Sequence, residues 1–407
     1  MKKYILLLFL VLCSAQTRSE SLNFSNDVEI SLLTCSPGKE IYAKFGHTAI
    51  RVKDNIKNLD LAFSWGLFDF DTKHFYLKFL QGKTDYMLGV SSTSFFLNHY
   101  KERNSSVTEQ LFDLNENEKK RFIEALLHNY IPENREYRYN FVFDNCATRP
   151  RDMLIRSIDG HFKLIPKLES RTYRSAINSY LGENNWTRFG VDVVLGYQAD
   201  KFMPQIESMF LPEIMKYEIN SAKNSDIPNK TSRDITKRTQ VLVASQAEDT
   251  QPLTFWEKPT QVFILLLILV FLISAYEIIF DKPYHTAIDS LLLAITGLAG
   301  IVVFFLMFFS LHPLVQHNFN ILWLNPLNLL AAVFIWFKRY LVYMFVFQLV
   351  NLLLVGLALV SVAISLQTFN LAIFIFIAIL MCRYSAWIYR TKKRLVRKSM
   401  FNFFKTT

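Results

Sequence analysis

The side chain best placed for covalent chemistry in this sequence is Cys146. It sits in Tyr139-Asn-Phe-Val-Phe-Asp-Asn-Cys-Ala-Thr-Arg-Pro-Arg-Asp152, which reads as a strand before Asp144 and as a helix after Cys146. Asp144 or Asn145 suits the helix N-cap, Pro150 is tolerated in a first turn, and Met153–Ile158 continue the helix. A cysteine at a helix N-terminus beside Arg149 and Arg151 is biased towards thiolate, and so towards attack on a carbonyl. Asp144 and Asp152 oppose that bias. A thiol nucleophile also needs a base, and the chain has 8 His. His285, His312 and His317 fall in the apolar C-terminal half, His128 in a helix, His161 in a polar turn, and His74 and His99 among aromatics. His47 differs, because Gly46 leaves its ring approachable at the start of an alternating strand, Phe45-Gly-His-Thr-Ala-Ile-Arg51.

The elements that must position this pair are an α+β set. Alternation at Val28, Ile30, Leu32 and Thr34 predicts one strand; 47–52, 61–65 and 107–114 predict three more. Asn115 followed by Glu118 is a capping-box signature for a helix over 116–130, ending before Pro132. A second helical region is expected over 198–216. Residues 219–259 are polar and patternless and read as a linker or membrane-proximal arm. No glycine-rich phosphate loop, internal repeat or metal-ligand spacing occurs, so neither a cofactor nor a metal is expected. Cys35 and Cys146 leave two readings open: a disulfide in an oxidising compartment, or two free thiols.

The formal net charge of +10 suggests nucleic acid or a membrane. Its distribution excludes the first, since residues 16–259 hold 32 Lys+Arg against 32 Asp+Glu. The excess lies beside apolar segments. Residues 1–15, with Lys2 and Lys3, a short apolar run and small residues near Ala15, read as a secretory signal. From Ser290 to Phe337 there are 48 residues without Lys, Arg, Asp or Glu. As one helix this would run roughly 70 Å, against about 30 Å of hydrocarbon, so it must fold back. Five spans follow, at 261–280, 290–310, 322–337, 341–364 and 370–389. The bases at Lys282, Lys338, Arg339 and from Arg390 onward all fall on one side, opposite the exported half. The domain layout is 1–15 signal, 16–218 exported catalytic domain, 219–259 arm, 260–390 membrane domain and 391–407 basic cytoplasmic tail.

Five motifs together carry a resemblance. Ser31-Leu-Leu-Thr-Cys-Ser-Pro-Gly38, Phe45-Gly-His-Thr-Ala-Ile-Arg51, Phe63-Ser-Trp-Gly-Leu-Phe-Asp-Phe70, Asp144-Asn-Cys-Ala-Thr-Arg-Pro-Arg-Asp152 and the turn from His312-Pro313 through Asn320-Ile-Leu-Trp-Leu-Asn-Pro326 resemble the Lnb-type lipoprotein N-acyltransferases over nearly the whole chain. The resemblance implies an α+β, circularly permuted NlpC/papain-like periplasmic domain followed by an all-α five-helix transmembrane domain in the bacterial inner membrane. It implies Cys146 as nucleophile and His47 as base. The orienting third residue falls at Ser64, where most relatives are expected to carry Asn, with Asp69 as a substitute.

The chemistry so implied moves a fatty acyl chain from a phospholipid, through a Cys146 thioester, to the α-amino group of a lipoprotein's N-terminal diacylglyceryl-cysteine. The partners are the phospholipid donor, diacylglyceryl lipoproteins and the bilayer. Asn145, Arg149 and Arg151 are expected near the substrate, the two arginines pairing with lipid phosphate or with Asp144 and Asp152. The turn 311–326, with His312, Asn320 and Trp323, is expected as the floor of a lipid groove or as an interfacial belt. Two rivals remain: a membrane-tethered cysteine amidase or peptidase, and a non-catalytic membrane-complex subunit with Cys35 and Cys146 bridged.

Overall fold

In a computed structural model, the described residues are 22–40, 43–68, 73–166, 171–226, 231–246, 252–281 and 285–406, with side chains to 396. The signal at 1–15 and Asp69 lie outside them. The alternating runs pair into β1 (Val28–Cys35), β2 (His47–Asp54) and β3 (Leu59–Leu67), joined by α1 (Phe75–Leu80) to β4 (Asp85–Ser92). Next come α2 (Thr93–Glu102), β5 (Val107–Phe112), α3 (Glu116–Tyr130), β6 (Glu136–Arg138) and α4 (Thr148–Ser157). The capping box of α3 forms as its sequence predicts, Asn115 and Glu118 each bonding the other's backbone N–H.

The sheet is antiparallel, with β6, β4, β3, β2, β1 and β5 side by side in that order and a later strand, Thr236–Val243, beside β5. Its two faces follow the alternation of the strands. Ile30, Leu32, Ile50, Val52, Phe63 and Trp65 pack towards α3 and α4. Leu33, Cys35, Ala49 and Ala62 pack on the other face, against Phe96 and Tyr100 of α2. The expected arm is in part a strand. After β7 (His161–Lys163), α5 (Tyr173–Leu181), α6 (Trp186–Val194), α7 (Gln205–Ser208), α8 (Pro212–Ser221), β8 (Lys223–Asp226) and β9 (Thr231–Asp234), β10 (Thr236–Val243) closes the sheet beside β5. Thr-Lys-Arg-Thr-Gln-Val-Leu-Val is too polar to announce itself, and its charges suit an exposed edge.

Among the described residues, the C-terminal half has four helices long and apolar enough to cross a membrane: α9 (Pro259–Ile279), α10 (Thr286–Phe309), α12 (Leu341–Ala363) and α13 (Leu371–Thr406), the last over Leu371–Val396. The span expected at 322–337 is not a long helix. It holds a 3₁₀ turn, Phe319–Leu322, and the seven-residue α11 (Asn328–Phe334), running antiparallel along α10. Pro326 has no N–H to continue a helix, and the Asn325 side chain accepts from Leu327 N instead. Irregular backbone survives at this depth because protein surrounds it: Asn328 bonds Thr296 and Asn351, and Asn325 bonds Asn351. At the opposite end of the bundle from the sheet, Arg383 of α13 clamps Asp289 of α10 and Glu277 and Ser274 of α9.

Candidate active site

His47 opens β2, opposite Cys35 at the end of β1. The chain reaches it through Gly46 at φ 75°, where a Cβ would lie 2.6 Å from the Cys35 carbonyl oxygen, so only glycine fits. The odd-even pleat then sends neighbouring side chains to opposite faces. His47 turns to the α2 face and stacks on Tyr100 at 6.5 Å, while the Thr48 hydroxyl donates to the Cys146 carbonyl on the other. On β3, Ser64 projects to the same face as His47, its Oγ 2.7 Å from Nε2. In the tautomer that donates Nε2–H to Ser64, Nδ1 is the basic nitrogen.

Cys146 stands just before α4, and Asn145 rather than Asp144 supplies the cap. Its Oδ1 accepts from the N–H groups of Ala147 and Thr148 at 2.8 and 2.9 Å. Its amide donates to Phe141 and Phe210 carbonyls, so this buried side chain fixes the turn while it also lines the cavity described next. The stretch before it is a tight turn over 141–143 closed by an Asn140–Asp144 bridge, not a strand. His47, Ser64 and Cys146 line one cavity of about 730 Å³. Its walls are largely aromatic, from Phe45, Phe68, Tyr86, Phe95, Tyr139 and Phe141, and Arg103 adds a positive charge.

Burial in these walls decides the protonation states. It lowers His47 to about 4, with the charges of Arg103 and His99 adding to the effect. It also raises the Cys146 thiol, against the Thr48 N–H and hydroxyl, which favour the thiolate. The cavity therefore holds a neutral imidazole and a neutral thiol at rest, not the thiolate that the arginines in the sequence favour. Those arginines are engaged elsewhere. Arg149 forms a fork on Asp144 and lies over the Tyr137 ring at 3.7 Å; Arg151 bonds Asp152 and the Ile206 carbonyl. Neither lines the cavity.

Cys35 and Cys146 are both free, so the bridge expected of a non-catalytic subunit is not formed. The Cys35 thiol is fully buried, raised by that burial and bonded to Tyr100. No residue of the turn 311–326 lines the cavity. Asn320 and Trp323 are buried, the Asn320 amide donating to the Asp192 and Val193 carbonyls and its Oδ1 accepting from Trp323 Nε1. His312 is held by the Phe79 carbonyl at 2.8 Å. These residues join the two halves. Thr48, Tyr100, Tyr139 and Arg103 were missed from the sequence, since each becomes part of the site only through strand pairing or helix packing.

Comparison with known families matches residues 18–179 to the Lnb N-terminal periplasmic domain and residues 250–395 to the Lnb transmembrane domain. The chain belongs to the Lnb family. Neither a curated protein nor a solved structure matches it. As an Lnb protein it is an inner-membrane protein of the cell envelope, with the sheet and its cavity in the periplasm. The periplasmic helix ends then lie at Pro259, Phe309, Ala363 and Leu371, which turns the His47 end of β2 towards the bilayer, since α1 follows β3 and rests on His312.

Proposed function

We propose that this Lnb protein is a lipoprotein N-acyltransferase with Cys146 as nucleophile and His47 as base. The observation that carries the reading is a Cys–His–Ser set at one end of an aromatic cavity, on the membrane side of the sheet. An apolar wall suits an acyl chain, and a site at the bilayer meets two substrates that never leave it.

Cys146 gives its proton to His47 Nδ1 as its sulfur attacks the ester carbonyl of a phospholipid. The C–S bond forms, the ester C–O bond breaks, and His47 returns the proton to the departing lysophospholipid oxygen. The Cys146 backbone N–H, beside the start of α4, supports the negative oxygen of the tetrahedral intermediate. The resulting thioester is attacked by the free α-amine of a diacylglyceryl-cysteine. That amine loses a proton to His47 as the amide C–N bond forms, and the proton goes to the departing Cys146 sulfur. Starting from neutral partners suits a dry site, because no charge is buried before the lipid arrives. Ser64 acts by holding the ring so that Nδ1 stays basic.

The reading is tested by mass spectrometry of lipoprotein N-termini from cells carrying wild-type or Cys146→Ala protein. N-acylated termini are expected only with the wild type; N-acylation by the variant would overturn it. Unchanged lipoproteins alongside altered peptidoglycan would favour an amidase or peptidase built on the same pair.

A further inference from the structure

The helix α1 between β3 and β4 gives no residue to the cavity lining, yet its sequence and placement are unusual for a water-facing loop. α1 is Phe-Tyr-Leu-Lys-Phe-Leu, and it exposes Tyr76, Leu77, Phe79 and Leu80, at 79%, 48%, 44% and 40%. Its inner face is different: Phe75 is buried and stacks on Phe68, which stacks in turn on Tyr86 in the cavity wall. Residues 73–84 contain Lys73, Lys78 and Lys83 and no acid. An apolar outer face edged by lysines matches a helix lying in a lipid headgroup boundary.

The height of α1 is fixed by the bundle. Leu311 N donates to the Gln81 carbonyl at 2.9 Å, and His312 bonds the Phe79 carbonyl. Gly82, at φ 65°, lies so close that a Cβ would stand 3.2 Å from His312 N. These contacts fall two or three residues beyond the end of α10, where Phe308, Phe309 and Leu311 expose 63%, 58% and 56% of their surface to lipid. The exposed face of α1 is thus continuous with the lipid-facing belt of a spanning helix. We propose that α1 is an interfacial anchor, whose outer face inserts into the periplasmic leaflet and holds the cavity at the bilayer surface. Such an anchor requires the membrane geometry alone, so it stands or falls separately from acyl transfer.

The test places an environment-sensitive fluorescent amino acid, by codon suppression, at position 76, 309 or 56 of the full chain in phospholipid nanodiscs. Ile56 is 69% exposed in the β2–β3 turn, at the far end of a strand about 25–30 Å long. A probe at 76 is expected to lose emission to lipids doxyl-labelled near the headgroup, as the probe at 309 does, and to resist aqueous iodide. The probe at 56 should show the reverse. Iodide quenching at 76 equal to that at 56, with no loss to doxyl lipid, would overturn the anchor.

Discussion

Two regions of this protein crowd polar side chains at the level of the bilayer surface: the His47–Cys146 cavity and the turn 311–326. In the turn nearly every donor has a job. Asn318 holds the Val193 and Val194 carbonyls, Asn320 those of Asp192 and Val193, and Gln367 bonds both Asn318 and the Leu195 carbonyl. In the cavity, His47 spends one ring nitrogen on Ser64 and keeps the other for a proton. Saturated polar groups make a joint, whereas reactive ones need spare valence and an open wall. The same residue types therefore build a hydrogen-bonded joint in one place and a candidate catalytic centre in the other.

The sharpest break of this contrast is Cys146→Ala, expected to lower acyl transfer by roughly 10⁶-fold while thermal unfolding in detergent stays near wild type. Next, His47→Ala should cost on the order of 10²–10⁴-fold in kcat/KM. Its pH profile gives a second check. Because burial lowers His47 to about 4, the base is neutral and active above that value and protonated and inactive below it. The acid limb of kcat/KM should fall near pH 4; an inflection near the ordinary histidine value would mean a solvated or ion-paired ring.

In the joint the effect should move from rate to stability. Asn320→Ala leaves a buried Trp323 N–H without its acceptor and is expected to cost about 1–3 kcal/mol, read as a lowered Tm, with kcat of the folded protein unchanged. Ser64→Ala removes one hydrogen bond to the base, worth about 1 kcal/mol, and should slow turnover about fivefold. Smallest of all, Arg149→Gln breaks a partly exposed ion pair outside the cavity and should change kcat/KM by about twofold or less. A large Arg149 effect would place that side chain in the substrate's path after all.

How much of this was legible in the sequence depended on how local each signal is. The α3 capping box, the alternating strands and the cysteine before α4 are written within a few residues each, and all form as read. The pairing of His47 with Ser64 needed only the next strand. By contrast β10 pairs with β5 across more than a hundred residues, and nothing inside its polar octet records that partner. The third span looked like a helix because it is apolar and uncharged. Its short helix and irregular approach arise from Pro326 and from asparagines whose partners lie on α10 and α12. Arg149 and Arg151 looked like substrate ligands because sequence shows proximity to Cys146 but not direction. The aromatic walls from Tyr86, Tyr100 and Tyr139 come from three separate elements and share no motif.

The central claim is that Cys146 carries the acyl group, and intact-mass analysis of the full-length protein addresses it directly. After incubation with phospholipid vesicles and no amine acceptor, wild type should gain one acyl-sized adduct that neutral hydroxylamine removes, and Cys146→Ala should gain none. An adduct that persists in Cys146→Ala, or one on wild type that resists hydroxylamine, would contradict a thioester at this cysteine.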